Sequence, residues 1–175
     1  EKDPSDAIFL YATHLPSTGG DTLAANMVMA YETLPDAMKK KINGTTATHR
    51  GGWNTDGGTP TLNTQQQGTH PDVSQPVVRT HPNTRRKALF VSPGYTVKIN
   101  EMDQSESDDT LAELFDHALN PNFQYRHAWT KGMLMGLDNR SAMHCAVDDY
   151  TEPRCMLRMI VGCTERIGRD AKGEV

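Results

Sequence analysis

Residues 138–158 read DNRSAMHCAVDDYTEPRCMLR, and the way this stretch folds decides how the rest is arranged. It holds one histidine, His144, and two arginines four apart, Arg154 and Arg158. Between them lies an acidic, proline-bearing turn, Asp148 to Pro153. The reading is a strand carrying His144, a reversal centred on Thr151, and a second strand that sets Arg158 opposite His144 in a hairpin. Residues an even number apart on a strand share a face, so Arg154 and Arg158 point the same way. This puts a candidate metal ligand beside a fixed cationic fork. That arrangement suits a metal working with a carboxylate-bearing co-substrate, because guanidinium binds carboxylate bidentately. Taken alone, the stretch also fits an ordinary hairpin with surface arginines and a stray histidine.

Outward from this stretch the chain is loop-rich and strand-rich. Its 175 residues are enough for one domain with a real core. Apolar residues make up 36%, with 14 Gly and 10 Pro, which disfavours a helical bundle. The net charge of −4 and the lack of a basic stripe argue against a nucleic-acid partner. No apolar run approaches membrane-spanning length. Cys145, Cys155 and Cys163 are odd in number and lack CxxC spacing, so reduced thiols in a cytosol are expected rather than a disulfide framework or structural zinc. Oligomeric state, including a homo-oligomer, is left open.

Ala7 to Thr13 reads as a buried strand between two turn clusters. Gly19-Gly20-Asp21-Thr22 reads as a turn that starts a helix carrying Leu23, Met27, Ala30, Tyr31 and Leu34, with the Thr22 hydroxyl either capping it or binding a ligand carboxylate. Pro35 to Ile42 reads as a second short helix. Gly51 to Pro76 is polar and Gly/Thr/Gln-rich, a long loop of the kind that selects substrate or stays flexible. Arg85 to Val91 and Tyr95 to Ile99 read as strands, Ser105 to Leu119 as the clearest helix, and Phe123 to Trp129 and Met133 to Leu137 as further strands. Gly168 to Val175 is a polar tail. The sum is one mainly β domain with helices (α+β), a double-sheet fold such as a jelly roll.

Non-heme Fe(II) sites use two histidines and one carboxylate, and a strand supplies two of them as H-x-D, whose outer residues face the same way. The one such triplet here is His70-Pro71-Asp72, in a polar loop whose proline argues against a central strand. A site rebuilt from His70, Asp72 and His144 is therefore a weak alternative. His14, His49, His117 and His127 have no partner at ligand spacing. Tyr95 lines either a core or a pocket.

Several segments in register resemble the taurine dioxygenase / 2,4-dichlorophenoxyacetate dioxygenase family of Fe(II)- and 2-oxoglutarate-dependent oxygenases. They are Gly19-Gly20-Asp21-Thr22-Leu23 with Ala25-Asn26-Met27 and Ala30-Tyr31-Glu32; Pro76-Val77-Val78-Arg79-Thr80-His81-Pro82; and Lys87-Ala88-Leu89-Phe90-Val91 with Pro93-Gly94-Tyr95-Thr96. Asp138-Asn139-Arg140 with His144, Asp149-Tyr150, and Arg154 with Met156 and Arg158 complete the set. They span nearly the whole chain. The resemblance implies a double-stranded β-helix (jelly roll, clavaminate-synthase-like), incomplete at its N-terminus. It also implies the cofactors Fe(II), 2-oxoglutarate and O2, and a small sulfonate-, sulfate- or aryloxyacid-like substrate.

The resemblance further implies roles. His144 matches the distal iron ligand, and Arg158 with Thr22 matches the pair holding the far carboxylate of 2-oxoglutarate. Arg154 matches the second arginine, near the metal-binding end of the co-substrate, and Tyr95 an aromatic residue beside the substrate. The family's H-x-D pair would by spacing fall just before Glu1, so the 175 residues alone are expected to be inactive. Two departures, Leu137 for a common Trp and Gly132-Met133 for Gly-Asp, touch packing and pocket shape. A rival reading is a non-catalytic jelly-roll module that keeps the carboxylate-binding arginines.

Overall fold

The computed structural model describes residues 4–51 and 71–162. The organising element is a two-stranded antiparallel ribbon made from segments far apart in the chain. Strand β1 (Ala7–His14) pairs with β11 (Cys155–Val161), placing Leu10 opposite Arg158. Strand β2 (Thr22–Asn26) pairs with β10 (Ala142–Ala146), placing Ala24 opposite His144. Apart from one shift between Ala12 and His14, the two numbers in every pair have the same sum in both ladders, so the register carries over from one to the other. Each ladder gains a third strand: β9 (Leu134–Asp138) beside β1, and β8 (Gln124–His127) beside β2. The ribbon therefore runs through one sheet, turns a corner and continues in a second. This is the double-stranded β-helix of a jelly roll.

The corner replaces the expected hairpin. Strands β10 and β11 lie in different sheets and do not pair, and Thr151 marks the bend between them. The physical reason lies in the partners of the two connecting loops, which hold each other. Gly20 N–H donates to Asp149 Oδ1 at 2.7 Å, and Ser17 N–H donates to Glu152 Oε2 at 3.0 Å. Arg126 reaches in from β8 to Asp21 at 2.7 Å and Asp149 at 2.6 Å. The shift between Ala12 and His14 adds the extra residue that bends a ribbon at such a place. Gly19 (φ +75°) and Gly20 (φ +73°) are left-handed, and a Cβ on Gly19 would lie 2.5 Å from the Asp149 carbonyl oxygen.

The Gly-Gly-Asp-Thr turn does not start a helix. Thr22 to Asn26 is drawn into the sheet by a neighbour on each side, and helix α1 (Met27–Glu32) begins later, capped by Asn26, whose Oδ1 accepts from Val28 and Met29 N–H. The long excursion between β2 and β8 builds most of the core. It contains α2 (Asp36–Ile42), β3 (Thr46–His49), β4 (Val73–Pro76), β5 (Val78–Thr80), β6 (Lys87–Leu89), β7 (Thr96–Ile99) and α3 (Gln104–Ala118). Strand β3 pairs with β4 and β7, and β5 with β6. Helix α3 is capped by Asp103 rather than Ser105 and buries Leu111, Leu114 and Ala118. Strand β3 had no clear sequence signal, and β4 occupies the end of the segment read as loop. The remainder of that loop, from residue 52 to residue 70, and the tail 168–175 lie outside the described residues. On the β11–β1–β9 sheet, Tyr11, Leu134, Leu157, Met159 and Val161 share a face by register, and all five are exposed.

Candidate functional site

Two neighbouring rows cross the β10–β2–β8 sheet. One is His144–Ala24–Tyr125 and the other Ala146–Thr22–His127. Positions two apart share a face, so His144 and Thr22 look out from the same side. Thr22 is 2% exposed, and Trp129 Nε1–H donates to its Oγ1 at 3.0 Å. The edge of His127 meets Trp129 at 4.5 Å between ring centroids.

His144 is half-buried. Burial lowers its pKa below the ordinary histidine value, and the positive charge of Arg158 pushes it the same way, so the imidazole is neutral at pH 7. That electrostatic coupling joins residues from two different sheets. Arg158 is exposed and shares a face of β11 with Met156 and Ile160. Arg154 sits at the corner itself, where its Nε donates to the Gly20 carbonyl at 2.8 Å and its guanidinium lies 6.0 Å from the Tyr150 ring centroid. A Cβ on Gly20 would stand 3.0 Å from Arg154 Cδ, so the glycine makes room for the arginine. Arg154 thus binds the turn that leads into Thr22.

Tyr95 stands apart from these residues. It is 56% exposed at the head of β7, with its carbonyl accepting from Arg50 N–H at 2.8 Å. No hydrogen bond or ring contact joins its side chain to His144, Thr22, Arg154 or Arg158 among the described residues. The alternative site from His70, Asp72 and His144 gains no support. His70 lies outside the described residues, and Arg50 grips the Asp72 carboxylate at 2.9 and 2.7 Å, holding its pKa down. Among the described residues no group of three His, Cys, Asp or Glu side chains is placed to hold a metal ion. They offer an imidazole, His144, on the same sheet face as Thr22, and two arginines, Arg154 and Arg158, on the strand and corner that follow.

Sequence reasoning placed the residues that hold this frame within the family-like segments but gave them no role. Arg79 is 3% exposed, lies 4.0 Å over the Phe90 ring, and donates from Nε to the Arg140 carbonyl at 2.8 Å and from Nη2 to the Asn139 carbonyl. His81 Nδ1 accepts from Asn83 and Thr84 N–H, which leaves its proton on Nε2 to donate to Asp138 at 2.8 Å. Burial would raise the Asp138 pKa, but hydrogen bonds from Arg140 and His81 outweigh it and hold the carboxyl far below its usual range. The turn between β9 and β10, which passes from the sheet of Arg158 to the sheet of His144, is clamped in this way. A cavity of about 370 Å³ adjoins it, but Asn26, His81, Asp138 and Arg86 on its wall are already engaged. The segments 76–82 and 138–140 were the available signals, and neither identifies the other as its partner.

Comparison with known proteins agrees with this geometry. The family model described as "Taurine catabolism dioxygenase TauD, TfdA family" matches residues 1–164. The alpha-ketoglutarate-dependent dioxygenase cnsP of Penicillium expansum is 38% identical over 156 residues, which is 86% of this chain and 41% of that protein. The alpha-ketoglutarate-dependent 2,4-dichlorophenoxyacetate dioxygenase of Burkholderia sp. (strain RASC) is 38% identical over 136 residues, 77% of this chain and 46% of that one. The chain thus spans less than half the length of these two relatives. The crystal structure of AAD-2 in complex with Mn(II) and N-oxalylglycine superposes with a TM-score of 0.86 at 33% identity, covering 96% of this chain and 62% of that one.

Proposed function

Because this chain belongs to the taurine catabolism dioxygenase TauD, TfdA family, we propose that it forms the co-substrate side of an Fe(II)- and 2-oxoglutarate-dependent dioxygenase that hydroxylates a small sulfonate-, sulfate- or aryloxyacid-like substrate. The observation that carries the reading is the strand register that sets His144 and buried Thr22 in neighbouring rows on one face of the β10–β2–β8 sheet, with Arg154 tethered to the turn before Thr22. Similarity to AAD-2, crystallised with Mn(II) and N-oxalylglycine, supports it, since N-oxalylglycine is 2-oxoglutarate with an N–H in place of one methylene. Relatives named as dioxygenases leave the non-catalytic module unfavoured.

Fe(II), 2-oxoglutarate and O2 together supply the oxidising power for C–H hydroxylation when bound; the protein supplies geometry and charge. His144 provides one of the iron ligands. Its suppressed basicity keeps the ring nitrogen free of a competing proton, as metal ligation requires. Arg158 receives the far carboxylate of 2-oxoglutarate as a bidentate fork, and Thr22 adds one hydroxyl donor. Arg154, tethered to Gly20, adds positive charge near the other end of the co-substrate. Tyr95 is assigned to the substrate's surroundings by the family resemblance alone. A reducing compartment such as the cytosol suits Cys145 and Cys155, which are free and exposed. No helix among the described residues is long and apolar enough to cross a membrane.

The test uses the full-length protein with iron. Arg158→Gln is expected to raise the KM for 2-oxoglutarate at least roughly tenfold, the scale of a lost charge-assisted pair. His144→Ala is expected to abolish 2-oxoglutarate consumption. Turnover by His144→Ala at the parent rate would remove the ligand assignment.

A further inference from the structure

Thr22 is fully inside the sheet, so the direction of its hydroxyl proton matters. A threonine hydroxyl has one proton to give and two lone pairs to receive. The indole N–H of Trp129 can only donate, and it donates to Thr22 Oγ1 at 3.0 Å. One lone pair is thereby filled, and the hydroxyl proton is barred from the side where the indole sits. No second partner for Thr22 Oγ1 occurs among the described residues, so the proton is left for a group beyond the protein's own bonds. His127 braces the indole edge-on at 4.5 Å, and its own Nε2 is buried without a hydrogen-bond partner among the described residues. This row of the sheet therefore holds two unfilled polar valences, the Thr22 proton and His127 Nε2, side by side. Unfilled buried groups of this kind mark places where a ligand or water belongs.

We infer that Trp129 is a positioning residue of the co-substrate site, which fixes the single hydroxyl proton of Thr22 toward the far carboxylate of 2-oxoglutarate. The inference rests on the co-substrate reading above and assigns a role that the reading leaves open. Trp129 does not itself touch the carboxylate. It removes the alternative in which the threonine hydroxyl points into the sheet as a donor to its own neighbours. A carboxylate can only accept, so a hydroxyl turned the wrong way would present a lone pair to a negative charge.

The experiment is a double-mutant cycle on the full-length protein loaded with Mn(II), with the dissociation constant for 2-oxoglutarate measured by calorimetry. Trp129→Phe keeps an aromatic ring against His127 and deletes the donor. It is expected to weaken binding roughly three- to tenfold, the scale of one hydrogen bond. In a Thr22→Val background the same change is expected to have no further effect, because its route is gone. Equal weakening in both backgrounds would show that Trp129 acts through general packing and would overturn the inference. No weakening in the Thr22 background would overturn it too. If Trp129→Phe fails to fold, replacement by 3-benzothienylalanine, which keeps the bicycle and lacks the N–H, carries the same two expectations. Arg158→Gln separates the two levels of argument. If it weakens 2-oxoglutarate binding while the Trp129 variants do not, only the inference fails; if the parent protein does not bind 2-oxoglutarate, the reading and the inference fail together.

Discussion

At the scale of the residue, two half-buried imidazoles sit in opposite sorts of place. His144 faces a cation and is disposed toward a metal, whereas His49 lies inside the β4–β3–β7 sheet region with its Nδ1 3.3 Å from Thr96 Oγ1 and its ring 5.4 Å from Phe90. Burial is the main cause that lowers the His49 pKa to about 4. The sign of the resulting pH dependence follows from linkage. The unfolded chain takes up the proton first as pH falls, so the stability from His49 is complete above about 6.5 and drains away down to about 4. The loss is on the order of 2–3 kcal/mol. A His49→Phe variant is expected to flatten the slope of unfolding free energy against pH in that window, measured by urea melts; an unchanged slope would reject the assignment. At this scale the sequence displayed His144, Arg154, Arg158 and Thr22 because their spacing within recognisable segments is itself a signal. It did not display Trp129 or Arg126, and it showed Arg79 and His81 without their roles, because these lie in partners far along the chain that no local pattern predicts.

At the scale of the element, the corner is where expectation and outcome part. Spacing alone made Thr151 the midpoint between His144 and Arg158, and that much survives. The hairpin did not, because loop 147–154 finds better partners in Gly20, Ser17 and Arg126 than in itself. The helix expected from Thr22 failed for a related cause: its three-and-four periodicity was real, but a strand on each side outweighed local preference. The helices at 35–42 and 105–119 were legible because each carries its own apolar face, Met38 and Ile42 in one and Leu111, Leu114 and Ala118 in the other. Two glycines test the corner. Gly19 and Gly44 have nearly the same φ, +75° and +76°, yet a Cβ on Gly44 meets nothing within 4 Å. Gly44→Ala is expected to cost about 1 kcal/mol, the left-handed backbone penalty. Gly19→Ala adds a collision with the Asp149 backbone and is expected to cost at least about 3 kcal/mol. Chemical denaturation of both variants makes the comparison, and equal losses would mean that the corner is not tightly closed.

At the scale of the whole molecule, the sheet that carries Arg158 on one side shows Tyr11, Leu134, Leu157 and Met159 on the other, the last two 60% and 61% exposed. A patch of this sort favours self-association in water. Leu157→Lys with Met159→Glu is expected to lower light scattering at high protein concentration while leaving the thermal midpoint within a few degrees, since neither side chain is buried. Greater scattering from the double variant would count against the patch as the cause. The fold class was visible from strand count and polar loops, but the pairing of β1 with β11 was not, because contacts between segments far apart in the chain leave no local trace. That pairing also sets a timetable. Synthesis runs from the N-terminal side, so β1 and β2 are made before β10 and β11 and must wait for them, unpartnered along one edge. Until β11 is made there is no Arg158 and no closed corner. The interval between those two moments is when the nascent protein is most exposed to mispairing and most dependent on whatever shelters it.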